Sequence, residues 1–364
     1  MDRHRGPVYL EINPLSDRHL TGIARYTARL ALALHATGCE LHFFAQAREV
    51  EPPSRLDWSH DQDLGRWARR LWSGRRRPLP DSLPQALAVY PCGRPLERRF
   101  GYEVSVLHDL TPLLMPHNHA ELTRIHFQHF FARAIHASDA ALCVSRSTRA
   151  DAAWLTDYPS QRTRVAASGP SLCVERHLEP RTVSRRPDLG LVVSTLEPRK
   201  NAFFLLEWFL NSRALPRRCE LWWVGGLGWL VSRRQLRRYT GHPDRRIRLL
   251  GIVDDRTLCR LYRTAGWSVY PTLYEGFGFP VLDALRHGTP VLAARHSSIR
   301  EFHHPDLHGI DPGDPASLDA AWLALAQSSP SGDSSALDQA FAWRHVAETL
   351  LSLPGRIPRL APAA

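Results

Sequence analysis

Lysine is almost missing from this 364-residue chain: the 47 Lys plus Arg residues include a single lysine, Lys200. Compositional drift toward arginine accounts for the bias but not for the position of the exception. No run of eighteen apolar residues occurs, which excludes a membrane-spanning helix. The amino terminus, Met-Asp-Arg-His-Arg-Gly-Pro, has no apolar signal region, so no secretion is implied. The six cysteines, Cys39, Cys92, Cys143, Cys173, Cys219 and Cys259, are scattered without paired metal spacing. They read as reduced packing residues of a cytoplasmic protein. The 19 histidines are also dispersed, so the expectation is no metal and no other cofactor. Internal repeats and long low-complexity tracts are absent too.

The formal charge of +11 suits nucleic acid, an anionic membrane or anionic substrates. No nucleic-acid motif accompanies it, which leaves the last two. The length suits two domains rather than one core. Short apolar runs alternate with helical patterns, as in βαβ units with parallel sheets. Strands are predicted near Val8–Ile12, Leu41–Phe44, Val104–Leu107, Ala140–Val144, Leu191–Ser194, Leu221–Val224, Ile247–Leu250, Ser268–Tyr270 and Val291–Ala293. Helices are predicted over Ile23–Leu34, Ala120–Ile135, Thr148–Leu155, Ala202–Asn211, Asp255–Ala265, residues 280–287 and Phe341–Leu353. The polar stretch 175–189, with Pro180 and Pro187, reads as a linker. Residues 312–335 read as the approach to the last helix.

The most informative run spans Pro271 to Val291. Glu275 precedes a loop opened by Gly276 and Gly278, with Phe277 and Phe279 between and after them. Pro280 suits the first turn of a helix, Gly288 its end, and Pro290 stops it. Asp283 falls eight positions after Glu275. A glycine-relaxed backbone and a helix N-terminus favour an anion. The two carboxylates beside it favour neutral hydroxyls. An anion flanked by hydroxyls is what a sugar nucleotide presents.

This run resembles the signature of glycosyltransferase family 4, a family of retaining enzymes with the GT-B fold. The resemblance implies an α/β protein of two Rossmann-like, doubly wound domains. Their ranges would be 1–175 on the acceptor side and 190–340 on the nucleotide-sugar side. A helix over 341–356 would cross back to the first domain, since Ala342-Trp343-Arg344 resembles the family's terminal element.

Other segments extend the resemblance. Glu197-Pro198-Arg199-Lys200-Asn201 follows a strand and is similar to the family's Glu-Pro-Arg-Lys-Asn motif, in which Lys200 and Arg199 would grip the donor diphosphate. Thr21-Gly22-Ile23-Ala24-Arg25-Tyr26 is similar to a Gly-Ile-Gly-Arg-Tyr element. There Gly22 would let backbone approach the diphosphate or acceptor, and Arg25 would lie on the acceptor side. The alternative for Arg25 and Tyr26 is a helix surface. His108-Asp109 ends an apolar strand and resembles the family's sugar-contacting histidine. Asp109 would orient that imidazole or cap the next turn, with the orienting role preferred. Gly225-Gly226-Leu227-Gly228 resembles a glycine loop near the base, though tight-turn duty explains it equally.

The activity implied is retaining transfer of a hexose, with mannose from GDP-mannose the best choice. The acceptor would be a glycan or lipid-linked glycan of a surface polysaccharide. His108 and Glu275 would be catalytic. Gly22, Arg199, Lys200, Gly276, Phe277, Gly278, Phe279 and Asp283 would bind the donor, and Arg25 and Asp109 the acceptor side. No metal is expected: Asp61-Gln62-Asp63 does not end an apolar strand, and cations replace a metal at the diphosphate. Arg66–Arg77, interleaved with Trp67, Leu71 and Trp72, forms a basic face. It suits the inner surface of an anionic membrane or simple solvation. Arg233, Arg234, Arg237 and Arg238 form a second cluster, read as solvated.

Three departures from the family pattern stand out: Asp283 for a glutamate, Ser194-Thr195 for Gly-Arg, and Arg286-His287 for small residues. Two other readings stay open. One is an epimerase or phosphorylase of the same fold, and the other a non-catalytic sugar-nucleotide-binding protein.

Overall fold

The computed structural model describes residues 4–16, 22–52, 61–70, 76–172, 184–241 and 246–360. Thr21, Cys173, residues 71–75 with Trp72 and Arg75, and most of the 175–189 stretch lie outside them. So do the side chains of Asp61, Gln62, Asp63, Arg69, Arg70 and Arg76. The chain divides into two compact units. One comprises Met1–Leu113, Ile125–Ser171 and Phe341–Ala364, the other Leu114–Arg124 and Leu172–Ala340.

The first unit is built on eight strands: β1 (Val8–Glu11), β2 (Leu41–Ala45), β3 (Arg48–Val50), β4 (Arg76–Pro78), β5 (Leu83–Tyr90), β6 (Phe100–Leu107), β7 (Ala140–Cys143) and β8 (Thr163–Val165). Their order is β4-β3-β2-β1-β5-β6-β7-β8. Pairing is parallel from β2 to β8, and β3 is antiparallel to both β2 and β4. All eight residues of β6 are buried, as parallel strands covered on both faces require.

The helices of this part of the chain are α1 (Gly22–Ala36), α2 (Asp61–Arg70), α3 (Thr111–Leu114), α4 (Glu121–His126), α5 (Ala132–His136) and α6 (Arg146–Thr156), of which α4 begins in the second unit's Leu114–Arg124 segment. The single helix predicted over Ala120–Ile135 is interrupted by a π-turn at Phe127–Phe131, where the two end rings stack at 4.4 Å. Within the basic stretch, the Trp67 ring packs on Phe43 at 5.3 Å. Trp67 is half-buried against this core residue.

The second unit carries β9 (Arg186–Val193), β10 (Glu220–Val224), β11 (Ile247–Gly251), β12 (Ala265–Tyr270), β13 (Val291–Ala294) and β14 (Leu307–Ile310). All are parallel, in the order β11-β10-β9-β12-β13-β14. Its helices are α7 (Ala202–Asn211), α8 (Arg233–Thr240), α9 (Asp255–Thr264), α10 (Phe279–Arg286), α11 (Pro315–Gln327) and α12 (Ser335–Ala340). Trp223, Trp267, Leu205 and Phe209 fill the core between sheet and helices.

Two expectations are corrected here. The linker does not reach residue 189, because β9 begins at Arg186; Pro187 is tolerated near the start of a strand. The 312–335 approach contains α11 and the start of α12.

The last helix, α13 (Trp343–Ser352), belongs to the first unit. Trp343 meets Tyr26 edge-on at 5.1 Å, and its Nε1 donates to the Pro170 carbonyl at 2.8 Å. A Cβ on Gly169 would lie 2.4 Å from that indole, so the ring is seated where only glycine leaves room.

Candidate active site

The second unit concentrates charge at the C-terminal edge of its sheet, where open α/β sheets hold ligands. Beyond β9, Pro198–Lys200 form a 3-10 turn, and Asn201 takes a left-handed φ of 57° before α7 starts. Beyond β12, residues 271–278 lead into α10. The two loops are stitched together: Leu273 N donates to the Arg199 carbonyl at 2.9 Å.

Four ionic side chains meet there. Lys200 Nζ donates to Glu275 Oε1 at 2.5 Å and to the Tyr270 hydroxyl at 2.8 Å. Arg199 donates to Glu275 Oε1 at 3.1 Å and to Glu197 Oε1 at 2.9 Å. Thr272 Oγ1 adds a third bond to Glu275 Oε1 at 2.8 Å, and Thr195 Oγ1 donates to Glu197 Oε2 at 3.2 Å. Two cations and two carboxylates balance within a mostly buried cluster.

Burial alone pushes the Glu275 carboxyl up. The charges of Lys200 and Arg199, with the hydrogen bonds from Lys200 and Thr272, outweigh it and hold the group at about 2. Burial and the adjacent guanidinium pull the Lys200 ammonium below its ordinary value, with Glu275 opposing them. The sequence places Lys200 and Arg199 on a diphosphate and Glu275 on a sugar, with no link between them. The structure instead pairs the cations with Glu275, so an arriving anion has to part them.

The loop after Glu275 is fixed from below. Glu275 N donates to Ser297 Oγ at 3.1 Å, and Ser298 Oγ lies between the Glu275 and Phe277 carbonyls at 2.9 and 2.8 Å, donating to one of them. Gly278 caps α10 with φ 103°, a conformation that favours glycine, and a Cβ there would lie 2.4 Å from Ile299 Cδ1. Gly276 is buried between these contacts. Phe277 packs against Phe279 and Phe302, which explains it as a core residue. The helix dipole of α10 directs its positive end at this loop.

Asp283, on the second turn, is buried and accepts the Leu172 N–H on Oδ1 at 3.3 Å. This duty toward the chain's own backbone has no sign in the sequence. Arg286 pairs with Asp338. His287 stacks on Tyr262 at 5.2 Å, and burial depresses its imidazole to about 4. The departures at Arg286 and His287 therefore serve packing and pairing around α10.

The glycine loop has a structural cause. A Cβ on Gly225 would sit 1.9 Å from the Ser194 carbonyl oxygen, and one on Gly228 2.9 Å from Glu197 Cβ. Both glycines let residues 225–228 run beside residues 194–197. The α8 arginines Arg233, Arg234, Arg237 and Arg238 are exposed.

In the first unit, His108 follows β6. Its Nε2 donates to the Pro91 carbonyl at 2.8 Å, which leaves Nδ1 as the acceptor. Burial lowers its pKa, so the ring is neutral at neutral pH. Tyr26 meets it edge-on at 4.8 Å. Tyr26 is a core residue and not part of a helix surface, and Arg25 beside it is half-buried. The preferred role for Asp109 is corrected: its Oδ1 accepts from Thr111 N at 3.0 Å and Thr111 Oγ1 at 2.5 Å, so it caps α3 rather than orienting His108. Gly22 opens α1, and an added Cβ would meet nothing within 4 Å, so packing does not explain that glycine.

Several candidates escaped the sequence reading. Glu197, Thr272, Tyr270, Ser297 and Ser298 build the charged cluster; polar residues directly after β9, β12 and β13 were the available signal. Glu11 ends the apolar β1 as a buried carboxyl group whose Oε2 has no hydrogen-bond partner among the described residues, and burial raises its pKa to about 8. Among the described residues no three His, Cys, Asp or Glu gather as a metal site, and no helix is long and apolar enough to cross a membrane.

Comparison with known proteins follows the same division. Residues 187–328 match the family described as glycosyl transferases group 1. The chain is 28% identical over 347 residues to an O-antigen chain mannosyltransferase B of Escherichia coli, covering 85% of this chain and 87% of that protein. It is 26% identical over 281 residues to the serotype-specific mannosyltransferase WbdA of Escherichia coli, spanning 34% of its length. Among solved structures, Anabaena HepE in complex with UDP and glucose aligns with a TM-score of 0.62 at 15% identity, covering 96% of this chain and 100% of that one. WaaG, a glycosyltransferase involved in lipopolysaccharide biosynthesis, aligns at 0.56 and 16%, covering 96% and 97%. Residues 187–328 are thus similar to the group 1 glycosyltransferases, and the chain has the GT-B fold.

Proposed function

We propose that the protein is a retaining, metal-independent mannosyltransferase of family 4. In this reading it moves mannose from GDP-mannose to a glycan or lipid-linked glycan acceptor in polysaccharide synthesis. The observation that carries it is the Lys200–Arg199–Glu275 cluster at the N-terminus of α10. The mannosyltransferase names of the relatives support the sugar, and the HepE complex shows this fold holding a nucleoside diphosphate and a sugar.

The acceptor oxygen bonds to the anomeric carbon on the face from which the diphosphate oxygen departs. The acceptor proton passes to the departing phosphate. Charge grows on that diphosphate, and Lys200, Arg199 and α10 stabilise it more in the transition state than in the ground state. Gly276, Gly278 and Phe279 shape the loop under it, and Gly22 is assigned to the donor. Glu275 is assigned to the sugar hydroxyls, and Asp283, farther along α10, to the nucleoside side. His108, neutral and with Nδ1 as acceptor, is assigned to a hydroxyl of the transferred sugar, and Arg25 to the acceptor side.

A thermal-shift panel tests this. GDP and GDP-mannose are expected to raise Tm more than other nucleoside diphosphates and their sugars, because native-state binding stabilises in proportion to ligand over Kd. Transfer is expected to continue after exhaustive chelation; a strict requirement for Mg²⁺ or Mn²⁺ would refute metal independence.

We also place the enzyme in the cytoplasm, on the inner face of an anionic membrane. The motivation is the exposed Arg66 and the arginine-rich sequence that follows it. Flotation with acidic liposomes is expected to fall with salt and with Arg75, Arg76 and Arg77 replaced by Ala. Equal flotation with neutral vesicles would contradict it.

A further inference from the structure

The sheet of the second unit has another opening along the same edge. β13 and β14 run parallel, with Ala293 opposite Gly309 and Ala294 opposite Ile310. Beyond this pairing the chains part. Arg295 and His296 leave one strand, and Asp311 and Pro312 leave the other. Between them lies a groove of about 430 Å³ lined by Arg295, His296, Gly309, Asp311, Pro312 and Ser317. It is broad and open to solvent.

A Cβ on Gly309 would lie 2.9 Å from Arg295 Cδ, so glycine is what lets the Arg295 side chain lie across the strand. Arg295 is exposed, and its guanidinium has no hydrogen bond or ion pair among the described residues. Asp311 is held from two directions: its Oδ1 accepts from Gly313 N at 2.8 Å, and its own N–H donates to Ser317 Oγ at 2.6 Å. Asn201 Nδ2 donates to the Pro312 carbonyl at 2.7 Å, which ties the groove to the loop carrying Lys200. On the other side, the His296 ring stacks on Tyr274 at 6.4 Å, next to Glu275.

The chemistry of the lining selects its ligand. The lining carries one guanidinium and one carboxylate, so a free diphosphate gains a cation but meets an anion. His296, half-buried, is kept below its ordinary pKa by burial, with Glu275 and Asp311 opposing, and stays uncharged at neutral pH. An alkyl chain would leave Arg295 and Asp311 desolvated without partners. A saccharide satisfies all of them. Neighbouring hydroxyls donate to Asp311 and accept from the fork of Arg295, and a C–H face rests on the His296 ring and Pro312.

We propose that this groove is a saccharide subsite, holding a unit of the glycan acceptor chain remote from the reacting hydroxyl. The proposal rests on the glycosyltransferase reading above and involves none of the residues assigned to the donor.

The test is calorimetry on the full-length protein with α-linked mannose oligosaccharides of increasing length, and separately with GDP. Affinity of the wild type is expected to rise with length. Arg295→Ala and Asp311→Ala are each expected to weaken the longest oligosaccharide about tenfold, or 1.4 kcal/mol, and to leave GDP affinity unchanged. Equal oligosaccharide affinity in wild type and variants overturns the subsite, as does failure of the wild type to bind any oligosaccharide. Loss of GDP affinity in the variants also overturns it, because the residues would then belong to the donor site. If wild-type protein binds oligosaccharide through Arg295 but not GDP, the groove stands and the donor reading falls.

Discussion

Lys200→Ala is expected to lower kcat by about 10²–10³, the effect of removing one donor aimed at charge that develops in the transition state. The reason is local. The ammonium is the sole lysine of the chain and sits in a mostly buried cluster, 2.5 Å from Glu275 and 2.8 Å from the Tyr270 hydroxyl. An anion that displaces Glu275 inherits a desolvated cation, which acts far more strongly than an exposed one. GDP affinity falls as well, but by less than turnover. Glu275 keeps Arg199 and Thr272 as partners in the variant, so the fold persists, and a Tm measurement verifies it. Wild-type turnover in Lys200→Ala would remove this residue from the mechanism.

Glu275→Gln should have the opposite signature on binding. Turnover drops because the sugar-side carboxylate is lost. GDP binds as tightly as before or more tightly, since no carboxylate competes for Lys200. Stability falls by about 3–5 kcal/mol at pH 7, the cost of leaving buried cations without their counter-charge.

The pH dependence follows from linkage. The folded carboxyl titrates at about 2 against an ordinary 4.5, so its contribution of about 3 kcal/mol is complete above 4.5. It is lost as pH falls from 4.5 toward 2. Urea unfolding at pH 7 and near pH 3 is therefore expected to show a stability gap between wild type and Glu275→Gln that narrows in acid. A gap that does not change with pH, or a loss of GDP binding as large as that of Lys200→Ala, would contradict the proposed pairing.

What the sequence disclosed follows from where the physics is local. α7 matches its apolar periodicity residue for residue over Ala202–Asn211. Gly278 and Pro280 announced the loop-to-helix entry of α10, because a left-handed φ and a missing N–H are properties of single residues. β5 was missed although it lies between β1 and β6, since Pro84 near its start reads as a break. α11 was missed because its Asp, Ser and Ala residues show little periodicity. The pairing of Lys200 with Glu275 joins residues 75 positions apart, and no local pattern encodes it. Asp109 was misread for a related reason. A carboxylate next to a histidine suggests an orienting pair, yet the nearer unsatisfied groups were the N–H and hydroxyl of Thr111.

The most direct measurement of the central claim follows GDP release by ³¹P NMR. Purified wild type, Lys200→Ala and Glu275→Gln are each incubated with GDP-mannose and a mannose-terminated acceptor, with ¹H NMR of the product for its anomeric configuration. The expected result is GDP and an α-linked product from the α-linked donor with wild type, and release slowed by about 10²–10³ with Lys200→Ala. Wild-type protein that leaves GDP-mannose intact, or release unaffected by the loss of Lys200, would contradict it.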